Sequence, residues 1–199
     1  MIKDDNSRAW DVIVALALLT RLPLPHAPAA AFARQAQAAW AFPLAGLVVA
    51  GIACVVGWLG MAAGLPVPVT AGLMLATLVV TTGAMHEDGL ADAADGFWGG
   101  FDPARRLEIM KDSHIGTYGV LALILGVGLR WMALSATLAV GVGPMVAAVV
   151  LSRGLLPALM AWMPQARRTG LSHQVGQPSQ SVALAALGFA VLLALVVAG

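Results

Sequence analysis

The chain has 199 residues, 60% of them hydrophobic and 11% charged, with a mean hydropathy of +0.87. That balance excludes an ordinary soluble core and fits a polytopic membrane protein. A net charge of +1 with no basic run gives no footprint for nucleic acid, and the single Cys54 rules out a disulfide framework or a cysteine metal site.

In chain order, Asp4, Asp5 and Asp11, without a small-residue cleavage site, argue against a signal peptide. Val12–Leu19 is apolar but too short to cross a bilayer. With Trp10, Arg21 and the Pro23/Pro25 pair it predicts an interfacial or re-entrant helix. Five stretches then approach the length a bilayer requires: 38–60, 67–85, 118–139, 144–163 and 181–198. The expected fold is all-α: a single polytopic transmembrane bundle over 1–199 with an interfacial N-terminal helix and a cytoplasmic acidic loop or helix. No internal repeat or low-complexity tract interrupts it.

Charge sets the expected orientation. Lys3, Arg8, Arg21 and Arg34 precede the first span, Arg105, Arg106 and Lys111 lie in the acidic segment, and Arg167 and Arg168 lie in the last long loop. The turns at 61–66 and 140–143 carry no charge. The alternation predicts that the charged segments face the cytoplasm and that Gly199 lies on the far side.

Seven of the ten acidic residues fall between Glu87 and Asp112, and none follows. A solvated loop is one explanation; a divalent cation held by carboxylates beside a phosphorylated substrate is the other. No proline lies between Val69 and Asp102, so the second span is expected to continue as a helix past the membrane edge. On it Asp88, Asp92 and Asp95 share one face, where mutual repulsion is a cost that Mg²⁺ relieves. Glu87 sits about 100° away from Asp88 and is expected to matter far less. Gly89 and Gly96 are read as letting a bulky ligand approach.

Phe97-Trp98-Gly99-Gly100 should break this helix, and Asp102-Pro103 should restart it with a cap and a proline at its first position. The restarted helix turns Leu107 and Met110 to an apolar face and leaves Arg105, Arg106 and Lys111 as phosphate candidates. The segment 113–119 reads as a flexible re-entry; His86 and His114 each suit either an acid/base role or a plain interfacial one, and the interfacial reading is favoured. Arg130 and Arg153 fall near span centres, so each needs a partner or a polar cavity. Only the acidic cluster or a substrate phosphate offers one. Arg130, beside Trp131, is read as snorkelling or stacked, and Arg153, in Leu151-Ser-Arg-Gly-Leu-Leu-Pro157, as the functional one.

His86-Glu-Asp-Gly-Leu-Ala-Asp-Ala-Ala-Asp-Gly96, then 106–113 and Gly116-Thr-Tyr-Gly119, resembles the cobalamin synthase family of adenosylcobinamide-GDP ribazoletransferases. Thr20-Arg-Leu-Pro23, Phe42-Pro-Leu-Ala-Gly46, Leu151-Ser-Arg153 and Arg167-Arg-Thr-Gly-Leu171 are similar to its other signatures. Family members carry further hydrophobic sequence beyond a segment like Ser181–Gly199, so the chain is expected to lack spans found in relatives. The resemblance implies a bacterial inner-membrane transferase with its active site facing the cytoplasm. It would join α-ribazole, or its 5′-phosphate, to adenosylcobinamide-GDP and release GMP.

On that reading Asp88 and Asp92 hold Mg²⁺ and clamp the pyrophosphate, and Asp95 is a third ligand or the base for the attacking hydroxyl. Arg106, Lys111, Arg153 and, more weakly, Arg21 bind phosphate, while Asp112 supports the metal or Lys111 without coordinating. The lipid bilayer is a partner, and a homo-oligomer or a complex with other corrinoid enzymes stays open. Two rivals use the same acids. A CDP-alcohol or prenyl-diphosphate transferase would want a second acidic motif, and no acid follows Asp112. A cation transporter would want carboxylates at a mid-membrane repeat interface.

Overall fold

The computed structural model describes residues 8–198; Lys3, Asp4, Asp5 and Gly199 lie outside the described residues. The described residues form helices and no strand. In order come α1 (Asp11–Leu19), the short turns α2 (Ala29–Phe32) and α3 (Gln35–Ala38), α4 (Phe42–Ala62), α5 (Val67–Thr82) and α6 (Met85–Gly99). Then follow α7 (Pro103–Ile109), α8 (Thr117–Thr137), α9 (Gly143–Trp162), α10 (Leu171–Val175) and α11 (Gln180–Ala198). Gln35–Ala62, α8, α9 and α11 are each long and apolar enough to cross a bilayer. They mark an integral membrane protein and match four of the five expected spans.

The fifth differs. Alone, α5 has 16 residues, and it reaches the required length only together with α6, from which it is bent by 86°. The straight continuation expected from the absence of proline does not form, because a glycine ends the helix instead. Gly83 takes a left-handed φ of 64°; its N–H bonds to the Val80 carbonyl at 3.0 Å, and the Ala84 N–H reaches the Val79 carbonyl at 2.9 Å. This pair of bonds is a Schellman stop, which satisfies carbonyls that would otherwise be orphaned at a helix end. Ala84, with a φ of 58°, completes the corner.

The chain divides into two compact units, one of residues 1–54 and 141–199, the other of residues 55–140. In the first, α11 lays Ala183, Ala186, Ala190 and Ala194, all buried, along α9. Gly154 of α9 is what permits the approach, since a Cβ there would strike the Ala190 methyl. Small residues let backbones approach where lipid removes the hydrophobic drive between helices. Near the start of this unit the buried Asp11 accepts a hydrogen bond from the Trp40 indole at 2.9 Å, which ties the short α1 to the turn before α4. Pro157 does not break α9, which runs through it to Trp162.

In the second unit α5 and α6 pack on α8, and α7 packs on α6. On α5 the Thr77, Thr81 and Thr82 hydroxyls bond back to the carbonyls of Leu73, Thr77 and Leu78 at 2.7–2.9 Å. Trp131 of α8 donates its indole N–H to the Pro68 carbonyl at 2.7 Å, which ties α8 to the start of α5.

Candidate active site

The acidic helix is laid antiparallel along α8 by three contacts. At its start, Arg130 Nη1 donates to Glu87 Oε1 at 2.5 Å. Midway, Leu90 reaches the bare backbone of Gly126. At its end, Asp95 Oδ2 accepts the Gly116 N–H at 2.7 Å and Oδ1 accepts the Gly119 N–H at 2.9 Å. Gly116 is the cap position of α8 and Gly119 lies in its first turn, where helix N–H groups have no internal acceptor. A carboxylate there also meets the positive end of the helix dipole. Both glycines are required, because a Cβ on either would run into the Asp95 carboxylate. The segment read from sequence as a flexible re-entry is therefore pinned.

Arg130 is thus paired rather than snorkelling or stacked, and Glu87 anchors α6 on α8. The Glu87 side chain is 10% exposed and Arg130 46%. Arg130 lies in the second half of α8, so α6 runs beside that span instead of extending beyond it.

α7 closes onto the other end of α6. Asp102 caps it as expected, its Oδ1 accepting the Arg105 N–H at 3.0 Å, and Pro103 opens it. Gly96 and Gly100 allow the corner: a Cβ at Gly96 would meet Met110 near 2.5 Å, and one at Gly100 would meet the Arg106 backbone at 2.9 Å. Gly96 therefore admits α7, not a ligand. Arg106, expected on phosphate, donates from Nε to the Gly100 carbonyl at 3.0 Å and lies 5.5 Å over the Phe97 ring. Stacking of a guanidinium on an aromatic face adds to that hold.

Between these elements opens a cavity of about 590 Å³. Its walls are Asp95 and Gly99 of α6, Arg105, Glu108 and Ile109 of α7, the turn residues Lys111, Asp112 and His114, and Tyr118 at the start of α8. Of the expected residues it brings together Asp95, Lys111 and Asp112. Asp112 Oδ1 accepts the His114 backbone N–H at 3.1 Å and also lies 2.7 Å from His114 Nδ1. This pairing raises the His114 imidazole above its usual value and lowers the Asp112 carboxyl. Arg105 pairs with Glu108 at 2.7 Å on the exposed side of α7.

Asp88 is exposed, Asp92 half-buried and Asp95 buried. Among the described residues no three His, Cys, Asp or Glu side chains converge as a metal cage. Asp88 and Asp92, one turn apart, still form the kind of donor pair Mg²⁺ accepts, because that ion keeps several waters and completes its shell with substrate phosphate. Arg21, exposed, and Arg153, half-buried with Nη1 2.8 Å from Ser152 Oγ, belong to the other unit.

Sequence reasoning did not single out Tyr118, and for His114 it favoured an interfacial reading over an acid/base one. The spacing of Gly116 and Gly119, one helical turn apart at the start of a span, was a signal of close approach at that point.

The family profile described as Cobalamin-5-phosphate synthase matches residues 11–199. An adenosylcobinamide-GDP ribazoletransferase of Bradyrhizobium diazoefficiens is 46% identical over 92% of this chain and 72% of its own length. Proteins of the same name from Mesorhizobium japonicum and Xanthobacter autotrophicus are 43% and 44% identical, over 88% and 95% of this chain and 68% and 75% of theirs. No solved structure matches.

Proposed function

The chain belongs to the cobalamin-5-phosphate synthase family and is a transferase, and we propose that it joins α-ribazole, or its 5′-phosphate, to adenosylcobinamide-GDP with release of GMP. The observation that carries this reading is the family match along residues 11–199, together with relatives that bear the ribazoletransferase name. The chemistry of the second unit supports it. Transfer at phosphorus needs charge neutralisation and in-line positioning more than covalent help. The segment 87–112 has the carboxylates and cations for both tasks.

Asp88 and Asp92 would hold Mg²⁺ against the pyrophosphate. When bound, Mg²⁺ neutralises charge on the phosphate oxygens and so eases attack and departure. Asp95 has a different task in this reading. Both of its oxygens grip the start of α8, and that grip sets where α6 presents Asp92. Lys111 and Arg105, both on the cavity wall, would take the departing GMP phosphate. Arg106 would keep α7 closed on α6 and so hold Lys111 and Arg105 in range. Arg153 and Arg21 are proposed as further phosphate ligands on their chemistry alone, a guanidinium being suited to bidentate contact with phosphate oxygens. The setting would be the bacterial inner membrane, with the cavity facing the cytoplasm.

The test is direct. Protein purified in detergent or vesicles is given adenosylcobinamide-GDP and α-ribazole with and without Mg²⁺, and GMP is measured. Mg²⁺-dependent GMP release that requires both substrates is the expected result; release that needs neither ribazole nor metal overturns the reading.

A further inference from the structure

We propose that His114, oriented by Asp112, accepts the proton of the attacking hydroxyl. This rests on the transfer reading above and assigns a residue that the family resemblance did not supply. Asp95 is the acid that the family resemblance offered as a third metal ligand or as the base. Its Oδ2 accepts from the Gly116 backbone and its Oδ1 from Gly119, at 2.7 and 2.9 Å, and the residue is buried. A proton on either oxygen would set an O–H against a backbone N–H and loosen the start of α8. That geometry suits an anchor and does not suit a proton acceptor.

His114 has the complementary arrangement. It lines the same cavity, and its Nδ1 lies 2.7 Å from Asp112 Oδ1 while its own backbone N–H bonds to that oxygen at 3.1 Å. One carboxylate oxygen therefore fixes both the ring and the main chain of this residue. With Nδ1 committed as donor to Asp112, the neutral ring carries its lone pair on Nε2, the tautomer a base requires. A carboxylate that orients an imidazole and stabilises the imidazolium is the arrangement expected of a general base.

The step balances without another reagent. The ribazole O–H bond breaks, its proton goes to His114 Nε2, and the oxygen forms a bond to the cobinamide-side phosphorus. The bond from that phosphorus to the bridging oxygen breaks, and the electron pair leaves on GMP.

The charged and titratable groups facing His114 are Asp112 beside it, Asp95 of α6, Arg105 and Glu108 of α7, Lys111 in the turn, and Tyr118 of α8. Asp112, by its hydrogen bond, holds the His114 proton on to higher pH than usual. Turnover should therefore rise with pH through a limb lying above the ordinary histidine value, since only neutral His114 accepts a proton. Asp112→Asn removes the orienting charge and should move the limb to lower pH.

His114 is 89% exposed, so replacing it spares the fold. The experiment measures kcat and KM against pH for GMP release by wild type, His114→Ala and Asp112→Asn, with histidine NMR titration of the same proteins. His114→Ala is expected to lose roughly a hundredfold or more in kcat, to change KM little, to lose the limb, and to regain turnover with added imidazole. The NMR titration is expected to shift downwards in Asp112→Asn in step with the kinetic limb. An active wild type whose pH profile survives His114→Ala, or a limb unmoved in Asp112→Asn, overturns the assignment while leaving the transfer reading intact. A wild type that releases no GMP overturns both.

Discussion

Glu87 of α6 and Arg130 of α8 share one short ion pair, Nη1 to Oε1 at 2.5 Å, which ties the start of the acidic helix to the second half of α8. Glu87 faces Arg130 and Asp95 reaches the start of α8, while Asp88, on the same stripe as Asp95 but two turns before it, is exposed. Removing Arg130 leaves the Glu87 carboxylate, 10% exposed, with its charge in a poorly solvated place. Glu87→Gln and Arg130→Gln are each expected to cost about 1–2 kcal/mol, the lower range for a charged hydrogen bond because Arg130 is partly exposed. The double variant should cost less than the two losses added. Thermal unfolding of the four proteins in one detergent checks this, and strictly additive losses would mean the pair carries no coupling. Spacing alone predicts that Glu87→Gln matters little. That expectation concerns the metal face, and the pair concerns the packing that orients it.

Two glycines should respond in opposite directions. Gly119→Ala drives a methyl into the Asp95 carboxylate and is expected to destabilise by about 1–3 kcal/mol. A methyl at Gly89 would meet nothing within 4 Å, and the position is mid-helix, so Gly89→Ala should stabilise by up to about 1 kcal/mol. If Gly89 serves ligand approach, the same variant will melt higher and turn over more slowly. Melting curves with GMP-release rates separate the two effects; a stable Gly119→Ala would show that the cap on α8 is dispensable.

What the sequence made legible was whatever depends on local rules. Run lengths located four spans, because a bilayer demands about twenty apolar residues whatever the tertiary contacts. Asp102-Pro103 announced α7, because a cap and an N1 proline act within one turn. The break at Gly83–Ala84 was missed because a lone glycine in an apolar run is as often packed as left-handed, and only φ tells the two apart. Long-range pairing was harder still. Arg130 called for a partner or a polar cavity and was read as snorkelling or stacked, because its separation from Glu87 by 43 residues left several carboxylates equivalent until the register of α6 on α8 was known. Arg106 looked like a phosphate ligand by charge, and only the corner at Gly100 reveals its backbone task.

The 86° bend makes the path of α5 and α6 a separate question from their composition. Cysteines at Asp102 and Pro66 on a Cys54→Ala background should label from opposite faces in intact cells, with Asp102 on the cytoplasmic side. Label reaching both positions from one face would make α5 and α6 a re-entrant pair and would remove the positive-inside reasoning for this segment.

The proposed function turns on Asp88 and Asp92 forming the metal-holding edge of a phosphoryl-transfer site. GMP release by Asp92→Asn, measured against wild type across a Mg²⁺ titration, tests it most directly, because asparagine keeps the size and removes the charge a hard cation needs. Release is expected to be lost at ordinary Mg²⁺ while the purified protein stays monodisperse and melts no lower without metal. Near-wild-type release at the same Mg²⁺, or a larger loss of release in Glu87→Gln, would contradict it.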